Sequence, residues 1–121
     1  SMRCGPDEAE LAPIRLAMVV ASRRAGLPAP VDGVTTATTD TDVLARDAQR
    51  SRRFGFCAKL CIHPAQVAGV HQALAPTDAE CDWARRVLAA ETAAGGGAFS
   101  VDGKMVDPPV LLLARQILMT L

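Results

Sequence analysis

Gly55-Phe56-Cys57-Ala58-Lys59-Leu60-Cys61-Ile62-His63-Pro64-Ala65-Gln66 is the stretch that decides the fold. Residues 58–62 are apolar apart from Lys59, the composition of a parallel strand buried on both faces. Pro64 then stands where a helix begins, since its missing N–H costs nothing in a first turn and its fixed φ suits one. The stretch therefore predicts a strand over 58–62 that runs straight into a helix over 65–75. On that helix Val67, Val70 and Leu74 recur on one side.

Moving upstream, Asp40 or Thr41 can cap a helix from Asp42 to about Arg53, with Val43, Leu44 and Ala48 on one face. Before it, Val31 to Thr36 reads as another strand, reached through the connector Leu27-Pro28-Ala29-Pro30. The chain begins with a helix near Asp7 to Ala25. Leu11, Ile14, Met18 and Val19 lie at helical spacing there, Arg23-Arg24 complement the last turn, and Gly26 follows the end. Pro13 falls inside this pattern, so the helix starts or kinks at that point. Helix, strand, helix, strand, helix at this spacing is the signature of an α/β chain with parallel crossovers.

Downstream the rhythm changes. Thr77-Asp78-Ala79-Glu80 is a capping box that opens a helix to about Ala94, with Cys81, Ala84, Val87 and Leu88 inward. Gly95-Gly96-Gly97 ends it. Ala98 to Val106 reads as a small hairpin turning at Asp102-Gly103. Pro108-Pro109 leads into a last helix, Val110 to Thr120, which is apolar nearly all round and needs a cover. The order divides the chain into an α/β part, 1–75, and a helix–hairpin–helix part, 76–121.

Composition excludes several roles. Thirteen basic residues balance thirteen acidic ones, which removes the positive footprint of a nucleic-acid binder. No apolar run approaches the roughly 20 residues that span a bilayer, so no membrane role is expected. The 121 residues are half hydrophobic, yet one Trp, three Phe and no Tyr leave Ala, Val and Leu to fill the core. No charged-then-apolar leader opens the sequence, and Ser1-Met2 reads either as an expression scar or as natural sequence. Cys4, Cys57, Cys61 and Cys81 are expected as reduced thiols in a cytoplasmic protein. Cys57, Cys61 and His63 lack a second close pair that would complete a zinc set, so no metal site is expected within the chain.

Gly55 to Gln66, Pro76 to Glu80, Gly95 to Gly97 and Asp102-Gly103-Lys104-Met105-Val106-Asp107-Pro108-Pro109 together resemble the citrate lyase β-subunit-like family of the HpcH/HpaI aldolase superfamily. Gly26-Leu27-Pro28, Val31-Asp32-Gly33-Val34, Asp40 and Leu44 also stand where that family has them. One departure is Ala58, where the family often has Gly. The resemblance implies the C-terminal part of a TIM (β/α)8 barrel, its last two to three βα units, plus a C-terminal helical arm. It further implies a Mg²⁺-dependent carbon–carbon lyase that cleaves a 3-hydroxyacyl-CoA or acyl-carrier thioester into an acyl thioester and a 2-oxo acid. The family's Mg²⁺ ligands and substrate-gripping Arg lie on earlier strands without counterparts here. The chain then reads as a fragment of a longer enzyme or as a truncated relative, in either case expected to form a homo-oligomer. The alternative to a lyase segment is a catalytically inactive half-barrel that serves as an interaction module.

Four residues carry the expected chemistry. By resemblance, Asp107 reaches a neighbouring subunit's site as the acid/base at the acyl-CoA α-carbon, whereas spacing alone reads it as the cap of the last helix. His63 and Pro64 fall where a barrel strand meets its following loop, the end at which barrels place their sites. His63 either bonds substrate or anchors that turn. Lys59 either pairs with a carboxylate from another strand or approaches a CoA phosphate. Asp32 reads as a turn or hydrogen-bonding residue, Asp40 as a cap, and Arg50, Arg52 and Arg53 as a solvated helix end or a phosphate contact.

Overall fold

A computed structural model describes residues 3–119, and the expectation for Ser1-Met2 lies outside them. The chain forms two compact units that divide after Leu74. In the first, a 3₁₀ turn at Ala9–Leu11 leads into α1 (Ala12–Arg24), β1 (Val31–Asp32), α2 (Thr41–Phe54), β2 (Ala58–Lys59) and α3 (Gln66–Leu74). The second holds α4 (Asp78–Ala94), the hairpin strands β3 (Ser100–Val101) and β4 (Lys104–Met105), and α5 (Pro108–Met119).

Local chemistry explains most boundaries. Pro13 sits in the first turn of α1, so the helix starts there rather than kinking. The Asp40 carboxylate accepts from the N–H groups of Asp42 and Val43 at 3.1 and 3.0 Å, fixing the start of α2. Gly55 ends that helix at φ 97°, a conformation few other residues adopt. Thr77 and Glu80 form the reciprocal capping box of α4. Asp102 and Gly103 both take positive φ, 52° and 75°, as a two-residue primed hairpin turn requires.

β1 and β2 pair in parallel, with Val31 opposite Ala58 and Asp32 opposite Lys59, and α2 connects them. This is one βαβ unit. The paired strands are shorter than the sequence suggests: 31–36 and 58–62 were the expected spans, and only 31–32 and 58–59 form ladder. The Leu60 N–H still bonds the Asp32 carbonyl at 3.0 Å, after which the chains diverge into loops. The residues expected to extend the second strand are not buried: beyond the ladder, Leu60 and Ile62 are more than half exposed, and on β1 Val31 is nearly so, in a sheet that has two strands among the described residues.

The core of this unit holds Val19, Leu44, Ala48, Phe56 and Val70. Gly69 lets α3 close on α2, since a Cβ there would stand 3.0 Å from the Leu44 side chain. On α1, burial selects Arg15 and Val19, while Ile14 and Met18 are exposed, contrary to the apolar stripe read from the sequence. In the second unit α4 packs on α5 through Ala84, Val87 and Ala114, ringed by Trp83, Leu88, Val106 and Leu111. The small alanines on both helices permit the close approach. Leu112, Leu113 and Met119 of α5 are half or more exposed, so this core does not cover the whole helix.

Candidate functional site at the carboxyl ends of the paired strands

Parallel strands bring their last residues to one end, here Asp32 and Lys59 side by side. Asp32 is 5% exposed. Its carboxylate accepts from Ser51 Oγ at 2.5 Å, the Gly33 N–H at 2.8 Å and Arg15 Nε at 3.3 Å. The same guanidinium pairs with Glu8. Glu8 also bonds Arg50 at 2.8 Å, Arg50 pairs with Asp47 at 3.0 Å, and Asp47 accepts from the Thr35 hydroxyl at 2.7 Å. Charges of alternating sign thus run from α1 through the strand end to α2. Arg50 gives its terminal nitrogens to Glu8, Asp47 and the Asp7 carbonyl, while its buried Nε has no partner.

Burial is the largest influence on Asp32 and pushes its pKa up. The Ser51 and Gly33 hydrogen bonds and the charges of Arg15 and Lys59 outweigh it and hold the carboxyl below its ordinary value. Lys59 is also shifted down, chiefly by burial, against the pull of Asp32 and Asp47. Arg15 is raised despite burial, by Glu8 and Asp32, and stays charged throughout. The sign for stability follows. Asp32 contributes fully above its unfolded value of 3.8, and that contribution is lost as pH falls through the lower folded value. Thermal unfolding followed from about pH 6 down to about pH 2 should show a steep acid limb that Asp32→Asn flattens. An acid limb of unchanged slope in the variant would contradict this assignment. For Lys59 the sign is opposite to that of an ordinary paired lysine: its buried charge costs stability near neutrality, and the cost lifts as pH rises through its depressed pKa, below 10.5.

Lys59 donates from Nζ to the Gly33 carbonyl at 2.8 Å. Its direct hydrogen bond is therefore to backbone, with Asp32 a nearby charge rather than a contact partner. His63 and Pro64 follow in the exposed turn between β2 and α3, where the His63 Nδ1 accepts from the Ala65 N–H at 3.1 Å. The turn-anchoring reading of His63 is thus realised, while the far side of its ring remains accessible. One residue the sequence did not single out is Gln66, whose buried carboxamide ties this turn to residues 35–37. Its place at the end of the quoted motif was the only signal.

Asp107 belongs to the second unit. It caps α5, accepting from the Val110 N–H at 3.0 Å, and remains exposed. The cap uses one carboxylate oxygen. Among the described residues no group of three or more His, Cys, Asp or Glu could hold a metal ion. The four cysteines are free thiols, and no helix of the described chain is long and apolar enough to cross a membrane.

Three comparisons agree on kinship. A family model for C–C bond lyases of the TIM-barrel fold matches residues 16–120. The citrate lyase subunit beta-like protein of Deinococcus radiodurans is 43% identical over 116 residues, covering 93% of this chain and 40% of that protein. The mitochondrial citramalyl-CoA lyase of Rattus norvegicus is 34% identical, with coverage of 92% and 33%. Among solved structures, CitE of Mycobacterium tuberculosis in complex with magnesium, acetoacetate and coenzyme A matches with a TM-score of 0.83 and 33% identity, over 99% of this chain and 45% of that one. The chain spans less than half the length of each of these relatives. The α/β alternation, the strand-end motif and the family model together establish that this chain belongs to the C–C bond lyase family of the TIM-barrel fold.

Proposed function

We propose that the chain forms the C-terminal portion of a (β/α)8 barrel lyase, with the last two to three βα units within residues 1–75 and a helical arm over 76–121. The observation that carries this reading is a parallel β1–α2–β2 unit, the one such unit among the described residues, in which Val31 on β1 and Leu60 and Ile62 just after β2 stand exposed. Parallel strands are otherwise found covered on both faces, as a closed barrel covers them. The whole enzyme would cleave a 3-hydroxyacyl thioester of the citryl-, malyl- or citramalyl-CoA type into an acyl thioester and a 2-oxo acid. The free thiols suit a reducing cytoplasm.

Magnesium and coenzyme A accompany the Mycobacterium tuberculosis relative. The residues here do not fit a metal site of their own: Asp32 and Asp47 are occupied by Arg15, Ser51, Arg50 and Thr35, and no suitable cluster lies among the described residues. The chain's own part is narrower. Lys59 steadies the Gly33 backbone from beneath, His63 and Pro64 form the rim facing substrate, and Asp107 moves the proton at the acyl α-carbon in a neighbouring subunit's site.

Co-expressing this chain with the Deinococcus radiodurans residues that precede the matching segment tests the reading. A purified pair that cleaves citramalyl-CoA or malyl-CoA with Mg²⁺ supports it, and a well-folded but inert pair counts against it. The inactive interaction module is the second reading, favoured by the uncovered Leu112, Leu113 and Met119 of α5. On either reading the isolated chain should self-associate to cover apolar strand edges and α5. Size-exclusion chromatography with light scattering is expected to give a mass above the 12.7 kDa monomer; a folded monomer would oppose both.

A further inference from the structure

Gln66 is 1% exposed and joins the two loops that leave the carboxyl ends of β1 and β2. Its Oε1 accepts from the backbone N–H groups of Ile62 and His63 at 2.9 and 3.3 Å. Its Nε2 donates to the carbonyls of Thr35 and Ala37 at 2.8 and 3.1 Å. Both donors and the acceptor oxygen are in use, and a flipped amide would set NH₂ against N–H and oxygen against carbonyl. The four partners lie 3 to 31 residues away in sequence, so one side chain fixes both loops at once.

The His63 ring is constrained as well. A backbone N–H can only donate, so the His63 Nδ1 facing Ala65 N–H must carry a lone pair. In the neutral ring the proton then resides on Nε2, which makes the exposed side of the imidazole a hydrogen-bond donor. We infer that Gln66 is a positioning residue, which holds the 62–65 turn so that His63 presents Nε2–H to an oxygen acceptor of a bound ligand, a carboxylate or thioester carbonyl. This rests on the lyase reading only for the presence of that ligand. The tautomer and its anchoring are properties of the chain alone.

Nitrogen-15 NMR of the chain at about pH 8.5, roughly two units above the reference imidazole value of about 6.5, reads both. His71 is the other histidine and lies exposed on α3, an internal control. In the unaltered chain His63 is expected in a single Nε2–H form. Gln66→Ala should convert it to a tautomer mixture and raise amide exchange at Ile62 and His63 about tenfold or more, with His71 and Val70 unmoved. Gln66→Glu keeps the acceptor, so it should restore the His63 signature while amides of residues 33–37 exchange faster. If Gln66→Ala fails to fold, the Glu variant decides. A retained His63 signature with a loosened 33–37 loop supports the inference, and joint loss of both overturns it. In the reconstituted lyase, Gln66→Ala should raise KM by about tenfold with kcat little changed. An unchanged His63 signature, His63 and His71 shifting together, or a fall in kcat at constant KM would each overturn the inference. Lack of lyase activity in the unaltered pair would sink the functional reading and leave the NMR result standing.

Discussion

Asp32→Ala is expected to cost the first unit about 3–5 kcal/mol, the usual loss when one partner of a buried charge pair is removed. A domain commonly has about 5–15 kcal/mol in total, so the variant should sit at or near the unfolding limit. The reason is what the alanine leaves behind. Arg15 and Lys59, each 7% exposed, would lose the carboxylate that offsets their burial, and the Gly33 N–H would lose its acceptor. Asp32→Asn keeps an oxygen of similar shape for Ser51 or Gly33 and should cost less, about 1–3 kcal/mol. Replacing Arg15 and Asp32 together by methionine and leucine should recover part of the loss, since no unpaired charge from that pair remains. Urea unfolding followed by circular dichroism checks the series. A cost below about 1 kcal/mol for Asp32→Ala would show that the network is held by solvent-screened pairs instead.

Asp107→Asn should have the largest effect on chemistry. Asparagine caps a helix about as well as aspartate, so the Val110 N–H keeps its partner and α5 its start. Stability should change by only a few tenths of a kcal/mol. A carboxamide cannot exchange a proton in the role proposed for the carboxylate, so kcat of the reconstituted lyase should fall about 10²–10⁴-fold, the range for losing a general acid/base. The two outcomes separate the cap from the catalyst. Unchanged stability with unchanged turnover would reduce Asp107 to its cap, and the hairpin and α5 would then be scaffold alone.

Much of the fold could be read from residues that act on near neighbours. Asp40, the Thr77–Glu80 box, Pro13 and the Asp102-Gly103 turn each satisfy or redirect backbone within a few positions, so their sequence context contains the cause. Strand length could not be read this way. The apolar residues 60–62 have strand character, yet a ladder needs neighbours, and among the described residues the sheet holds β1 and β2 alone. Arg15 was hidden for a related reason: a charge at an inward helix position looks like an error in the apolar stripe until Asp32, 17 residues on, is seen beside it. Gln66 was hidden by the same distance, with its carbonyl partners 29 and 31 residues upstream. The sequence reading placed its candidates at the strand-end motif, and in the structure Lys59 ends β2 with His63 and Pro64 in the turn that follows. What it could not reveal was the division of labour, in which Lys59 serves backbone, Gln66 fixes the loops, and His63 is the exposed group.

Proton exchange at the acyl thioester tests the central claim most directly. The reconstituted lyase, incubated in D₂O with acetyl-CoA, Mg²⁺ and a 2-oxo acid too hindered to react, should wash deuterium into the acetyl methyl group, as proton NMR would show. Asp107→Asn should abolish that exchange while the pair stays assembled and folded. Exchange at an undiminished rate in the variant would mean that the proton moves through another group, and that this segment supplies the lyase with structure but not with its acid/base.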